Sequence, residues 1–231
     1  MRKIGLIGGM SYESTINYYE LINKKINEKL GGFNSGEILL SSLNFEQIEK
    51  LQRENRWNEA GEILALHAEI LAKGGCEAIF VCTNTMHKVY EIIQRAVSIP
   101  VVHIATATLK ELKSKNIDKV GLLGTIYTMK EDFYKDNIVR GGVEVITPSE
   151  DDMKIVNDII FNELCFGKIF PSSKEKFLQI INKMTLEKVG GVILGCTEIG
   201  LLINQEDTKT ILFDTTLIHI NEAVNFALSL K

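Results

Sequence analysis

Val192-Ile193-Leu194-Gly195-Cys196-Thr197-Glu198 is an aliphatic run that ends on a glycine, a thiol, a hydroxyl and a carboxyl. Unbroken rather than alternating apolarity marks a strand covered on both faces, the habit of parallel sheets. A second stretch repeats the plan: Ala78-Ile79-Phe80-Val81 leads into Cys82-Thr83-Asn84-Thr85. Outward from these, strands are expected at Ile4–Ile7, Ile38–Ser41, Ala78–Val81, Val101–His103, Lys119–Leu123, Val143–Ile146, Gly191–Leu194 and Thr210–Phe213. Amphipathic stretches lie between them. Glu13–Leu30 carries Ile16, Tyr19, Leu21 and Ile22 on one side, and Asn58–Lys73 carries Ile63, Leu64, Leu66, Ile70 and Leu71. Asp152–Phe166, Ser173–Lys188 and Asn221–Leu230 have the same character. A β-α-β-α rhythm of this kind predicts an α/β fold.

The rhythm runs twice. Gly5-Leu6-Ile7-Gly8-Gly9 resembles Gly121-Leu122-Leu123-Gly124-Thr125, and the Gly8–Thr83 and Gly124–Cys196 separations are 75 and 72 residues. Duplication predicts two pseudo-symmetric three-layer α/β domains with mostly parallel sheets and an active site in the cleft between them. Ligands of open α/β sheets bind beyond the carboxyl ends of strands, where CTNT and GCTE both fall. Pro100 marks the expected crossing between the halves.

Composition narrows the function. With 231 residues and 45% hydrophobic content, the chain can bury a core without disulfides or metal. A net charge of −4 with no Lys/Arg block argues against a nucleic-acid partner. No apolar run reaches membrane-spanning length, and Ile4–Gly9 is too short and glycine-broken for a signal-peptide core. Cys76, Cys82, Cys165 and Cys196 form no CxxC pair, and the histidines lie outside zinc-finger spacing, so no metal is expected. Free thiols without a leader point to a reducing cytoplasm.

Cys196 carries the chemistry best. A thiol after an apolar run is commonly a small packing residue. Here Thr197 and Glu198 follow it, polar groups that a core disfavours, and Gly195 lets the backbone turn. A helix N-terminus after the strand would lower the thiol from about 8.5 toward neutrality and make it a base or nucleophile. Superposing the two motifs on their polar tails matches Thr83 to Cys196 and Cys82 to Gly195. Strand alternation then turns Cys82 into packing and Thr83 toward the cleft. Cys76 and Cys165 read as packing only. Gly8-Gly9-Met10-Ser11 is either a tight βα turn or an anion cradle. Asn84, Thr85 and Thr125 offer donors to a carboxylate. His87 lies one turn past Asn84 and lines the site or caps a neighbour. His67 reads as a boundary residue, and His103 and His219 as core or rim residues. Arg53 is a possible carboxylate clamp but more ordinarily solvated, and Trp57 is a packing or interface residue.

IGLIGGMS at Ile4–Ser11, CTNTMH at Cys82–His87, GLLGT at Gly121–Thr125 and GCTEIGLL at Gly195–Leu202 together resemble, in order and spacing, the aspartate/glutamate racemase family of cofactor-independent amino-acid racemases. The resemblance implies a homodimer of two-domain chains, with a first domain of residues 1–100 plus 211–231 and a second of 101–210. It implies no cofactor, a small amino-acid or dicarboxylate substrate, and two groups on opposite faces of Cα. Cys196 matches the second family cysteine. Thr83 stands where the first normally stands, as in a Thr/Cys subgroup. By the same resemblance Met10, Gln52, Thr83, Asn84, Thr85 and Thr197 contact substrate, and Cys165 takes the place of a basic residue found in some aspartate racemases. The expected reaction has the Cys196 thiolate remove the α-proton of L-aspartate or L-glutamate, donors from Asn84, Thr85 and Thr197 hold the α-carboxylate, and Thr83 serve the opposite face. The alternatives are a one-cysteine decarboxylase or isomerase of arylmalonate/maleate type on the same fold, and a non-catalytic carboxylate sensor.

Overall fold

The computed structural model describes residues 1–229, and the chain divides into two compact units, Met1–His103 with His219–Lys231, and Ile104–Ile218. The first unit contains β1 (Ile4–Gly8), α1 (Tyr12–Leu30), β2 (Ile38–Ser42), α2 (Phe45–Arg53), α3 (Trp57–Lys73), β3 (Ala78–Val81), a 3-10 turn (Thr85–Val89), α4 (Tyr90–Arg95) and β4 (Val101–Val102). The second contains α5 (Ile104–Ser114), β5 (Lys119–Gly124), α6 (Ile126–Lys130), α7 (Asp132–Arg140), β6 (Glu144–Ile146), α8 (Glu150–Asn162), a 3-10 turn (Leu164–Phe166), α9 (Pro171–Thr185), β7 (Val192–Gly195), α10 (Ile199–Leu202) and β8 (Leu212–Asp214). The last helix, α11 (Thr215–Leu228), begins in the second unit and counts with the first from His219 onward. Its expected end, Leu230, lies outside the described residues. No helix among the described residues is long and apolar enough to cross a membrane.

All strand pairs are parallel, and the two sheets share one order: β2-β1-β3-β4 and β6-β5-β7-β8. In the first, Ile4, Leu6, Ala78 and Phe80 pack against Tyr18, Ile22 and Ile26 of α1 and Ile220, Ala223 and Val224 of α11. Gly5 faces the other way, where a Cβ would press on Leu71 of α3. In the second, Leu123, Val192 and Leu194 meet Val156 and Ile160 of α8 and Phe177 and Ile181 of α9. Val120, Leu122, Ile193 and Phe213 meet Ile104 and Leu112 of α5 and Tyr134 and Ile138 of α7. Each sheet thus alternates side chains between two helical layers, which is why its strands read as continuously apolar.

Three expectations need correction. The boundaries at 100 and 211 each move, because β4 hydrogen-bonds to β3 in the first sheet and β8 to β7 in the second. Residues 101–103 therefore stay with the first unit and 211–218 with the second. On α1, Ile16 and Tyr19 are more than half exposed, and the inward face is Ser14, Thr15, Tyr18, Ile22 and Ile26. Leu66 and Ile70 of α3 are likewise exposed, while Leu64, Ala68 and Leu71 are buried. The helices α5 and α7 have no counterpart in the sequence expectation. The α5 face buries Ala105, Ala107 and Thr108 beside Ile104 and Leu112, and small residues carry little apolar signal.

Buried histidines tie α11 to the first sheet. The Val102 carbonyl only accepts, so His219 Nε2–H donates to it at 3.0 Å, and Nδ1 accepts from Tyr18 Oη at 2.9 Å. His87 Nδ1–H donates to the Thr83 carbonyl at 2.9 Å. Burial is the main cause that pushes His219 down to about 3 and His87 down to about 4, from an ordinary 6.5. The unfolded chain therefore binds protons near pH 6.5 that the folded chain refuses until about pH 4 or 3. Stability contributed by these neutral rings is complete above pH 6.5 and falls with pH below it, by roughly 1.4 kcal/mol per histidine per pH unit. Denaturant melts across pH 5 to 7 should show that slope, and His219→Gln should flatten it by about one histidine's share. A stability independent of pH over this window would contradict the neutral assignment.

Candidate active site

With the order 2-1-3-4, the chain leaves β1 toward one edge and returns past it to β3, so a crevice opens between the carboxyl ends of β1 and β3. The equivalent place in the second unit lies between β5 and β7. Every residue singled out at the motifs stands at one of these two ends. Thr83 belongs to the first unit and Cys196 to the second.

In the first unit, the register Ile7↔Val81 sets the Gly8–Ser11 turn beside Cys82–Thr85. Gly9 adopts φ 86°, and a Cβ there would collide with the Leu43 backbone, so the position requires glycine. Part of the turn's hydrogen-bonding capacity is already in use. Gly9 N–H donates to Thr15 Oγ1 at 2.8 Å, Thr15 Oγ1 donates to the Ser11 carbonyl at 2.8 Å, and Ser11 caps α1 by accepting from Ser14 N–H. This favours the tight-turn reading over the anion cradle for that N–H. Met10, Thr83, Asn84 and Thr85 are all buried. Gln52, also buried, comes from the end of α2 and contacts Met86 Sδ through Nε2 at 3.1 Å, so α2 reaches the 3-10 turn that follows Thr83. His87 holds the Thr83 carbonyl from the same turn. Cys82 is sealed in the core beside Phe80, and burial pushes its thiol far up. Arg53 is exposed and pairs with Glu49 on its own helix. Trp57 is packed, with Lys88 Nζ 3.9 Å from its ring centre.

In the second unit, Gly195 lies beside Gly124 in the ladder, and a Cβ on Gly124 would strike the Gly195 carbonyl. Cys196 follows at the strand's end. Its Sγ–H donates to Glu198 Oε2 at 2.9 Å, and Thr197 Oγ1–H donates to the same oxygen at 3.0 Å. Cys196, Thr197 and Glu198 are each no more than 7% exposed, so the carboxyl is a deeply placed acceptor shared by two neighbours. Cys165, half-buried on the preceding 3-10 turn, packs against the same core cluster. Burial pushes its thiol up and the Glu198 charge adds to this. Thr125 is absorbed locally, capping α6 and meeting Thr128 Oγ1 at 3.2 Å.

Two details of the expected chemistry change. Cys196 is not poised as a thiolate: burial above all, then the Glu198 charge, raise its pKa well above that of an ordinary thiol. The following helix α10 spans only Ile199–Leu202, too little backbone to offset this. The resting group is a thiol hydrogen-bonded to a carboxylate. Thr197 also differs, since its hydroxyl proton is directed to Glu198 and its lone pairs suit a donor such as an ammonium. The residue that sequence reasoning left without a role is Glu198. Its signal was present, a carboxyl two positions after a strand-end thiol.

Among the described residues, no group of three or more His, Cys, Asp or Glu side chains is arranged to hold a metal. A groove of about 580 Å³ lined by Asn182, Thr185, Asp207 and Lys209 lies near the amino ends of β7 and β8, away from the Cys196 end.

The chain as a whole resembles solved structures and a curated relative. The chain is 46% identical to a candidate Asp/Glu racemase from Yersinia pestis, whose crystal structure matches with a TM-score of 0.92 over 99% of this chain and 100% of that one. An aspartate racemase homologue from Pyrococcus horikoshii OT3 is 35% identical, with a TM-score of 0.85 and the same coverage. The glutamate racemase of Aquifex pyrophilus is 27% identical over 163 residues, which span 70% of this chain and 61% of that enzyme, less than two thirds of its length. A family model described as Asp/Glu/Hydantoin racemase matches residues 7–223, and the chain belongs to that family.

Proposed function

We propose that this chain interconverts the L and D forms of an amino acid, aspartate or glutamate, by proton transfer at Cα without a cofactor. The observation that carries the reading is the Cys196–Glu198 hydrogen bond at a strand end, in a chain of the racemase family. The names of its relatives, aspartate and glutamate racemases among them, supply the substrate class. The family resemblance extends the proposal to a homodimer in the cytoplasm.

The steps follow from the resting thiol. A bound amino-acid zwitterion brings its α-ammonium, a positive charge that favours charge separation in the buried pair. Glu198 takes the thiol proton and Cys196 becomes the thiolate base. The thiolate removes the Cα proton and regains S–H, leaving a planar carbanion. Donors from Asn84 and Thr85 hold the α-carboxylate, and the Thr197 oxygen accepts from the ammonium. Preorganised donors replace the electron sink that a cofactor would supply. The opposite face is reprotonated through Thr83 with a water behind it, since a threonine hydroxyl is itself a weak acid. Glu198 gains one proton and the Thr83-side water loses one, and solvent restores both. Met10 and Gln52 complete the substrate contacts.

One observation favours a second reading. Of the two strand-end cysteines, Cys82 is sealed in the core, which leaves a single thiol available. A one-thiol decarboxylase or isomerase would need no group at Thr83. Carbon dioxide release from an arylmalonate, with no D-aspartate formed from L-aspartate, would select it.

Racemisation is tested in deuterium oxide, without added pyridoxal phosphate, by deuterium uptake at Cα and chiral separation of the products. Cys196→Ser should lower the exchange rate by about 10²–10⁴-fold, the range for removal of a positioned base. Exchange at the wild-type rate would remove Cys196 from the chemistry. Because enantiomers have equal free energy, kcat/KM must be the same in both directions. Thr83→Cys should therefore act on the separate kcat and KM values and bring those of the two enantiomers closer together. An unaltered kcat ratio would argue against Thr83 as the opposite-face group.

A further inference from the structure

The loop that carries Cys196 and Glu198 is held by two threonines, and the aspartate before them fixes the start of the helix they open. Thr215 Oγ1–H donates to the Leu194 carbonyl at 2.7 Å, immediately before Gly195 and Cys196. Thr216 Oγ1–H donates to the Thr197 carbonyl at 3.4 Å, inside the motif itself. Asp214 Oδ1 accepts from Thr216 N–H at 2.8 Å and Leu217 N–H at 3.2 Å, which fixes the start of α11. The other carboxyl oxygen of Asp214 lies so close to Gly200 that a Cβ there would collide with it. The sheet prepares this arrangement, since Asp214 is the ladder partner of Leu194. Thr215 and Thr216 are buried, so their hydroxyls gain most by meeting carbonyls.

The contacts bracket the reactive pair. One hydrogen bond falls before Cys196 and one between Cys196 and Glu198, and Asp214 lies against Gly200, two positions past Glu198. The 2.9 Å Cys196–Glu198 hydrogen bond joins residues only two apart, and its length depends on the backbone of Thr197. Freedom in that backbone would separate thiol from carboxylate. A misplacement of about 1 Å can cost 10²-fold in rate.

We propose that Asp214, Thr215 and Thr216 are positioning residues that set the Cys196–Glu198 geometry, with Thr215 as the principal anchor and Gly200 kept small so that Asp214 can approach. The proposal rests on the assignment of Cys196 and Glu198 to the reaction, and it is tested so that the two can fail separately. Thr215→Val removes the hydroxyl at nearly constant volume, and Thr215→Ser restores it. Each protein is assayed for kcat and KM of α-hydrogen exchange on L-aspartate, for its thermal midpoint, and for the pH dependence of iodoacetamide alkylation on the Cys196 peptide. Thr215→Val should lower kcat by roughly tenfold or more, with KM changed by no more than about twofold. Its Cys196 alkylation midpoint should move to lower pH as the Glu198 charge withdraws, and Thr215→Ser should return both toward wild type. An unmoved midpoint in Thr215→Val would overturn the proposal, and so would an unchanged kcat in a protein that exchanges α-hydrogen. So would a serine variant as impaired as the valine one. If Thr215→Val does not fold, Gly200→Ala decides: the same midpoint shift supports the anchor, and an unmoved midpoint overturns it. If the wild-type protein exchanges no α-hydrogen, the racemase reading fails, and the alkylation profiles still decide the positioning role.

Discussion

A buried thiol that donates to a neighbouring carboxyl at a strand end is the feature on which the rest depends. Cys196 Sγ and Glu198 Oε2 are 2.9 Å apart, with Thr197 donating to the same oxygen. Burial and the adjacent negative charge both oppose a free thiolate. The site therefore does not store a strong base. It holds an acid next to a proton acceptor, and in the proposed reaction the base forms when a substrate supplies compensating positive charge. A protonated sulfur is a far weaker nucleophile than a thiolate.

The fold brings such groups to the right kind of place twice. In each unit the second strand of the chain flanks the first on one side and the third on the other, so two loops meet at the carboxyl ends of adjacent strands. The first unit fills its loops with hydroxyls and amides: Thr83, Asn84 and Thr85, with His87 holding the Thr83 carbonyl. The second fills its loop with a thiol and a carboxyl, anchored by the threonines that open α11. One sheet order thus carries two different sets of side chains, and the difference lies in the four or five residues after β3 and β7.

Much of this was legible in the residues. All eight strands lie where the apolar runs predict them, because strands buried on both faces leave an uninterrupted signal. The repeat of GLIGG and GLLGT forecasts the shared sheet order. The unit boundaries were less legible. They depend on which neighbour β4 and β8 hydrogen-bond to, and a short edge strand carries no mark of its partner. The inward face of α1 is not legible in the same way, since Tyr18 and Ile26 are buried and Ile16 and Tyr19 are not, a rotation that hydrophobicity alone does not fix. At the site, Cys196 stood out by type and place. Its protonation did not, since that is set by burial and by where the Glu198 side chain turns, properties of the folded loop. The anchoring role of Thr215 was hidden for the same reason: a threonine after a strand is unremarkable until its hydroxyl is seen on Leu194.

The most direct measurement is a pH titration of the ultraviolet thiolate absorbance of the intact protein, with Cys196→Ser subtracted, beside the same titration of Glu198→Gln. Cys196 should ionise well above an ordinary thiol, and removing the Glu198 charge should shift that ionisation to lower pH. A wild-type thiolate already present at neutral pH, or a curve unmoved by the loss of the Glu198 charge, would contradict the account.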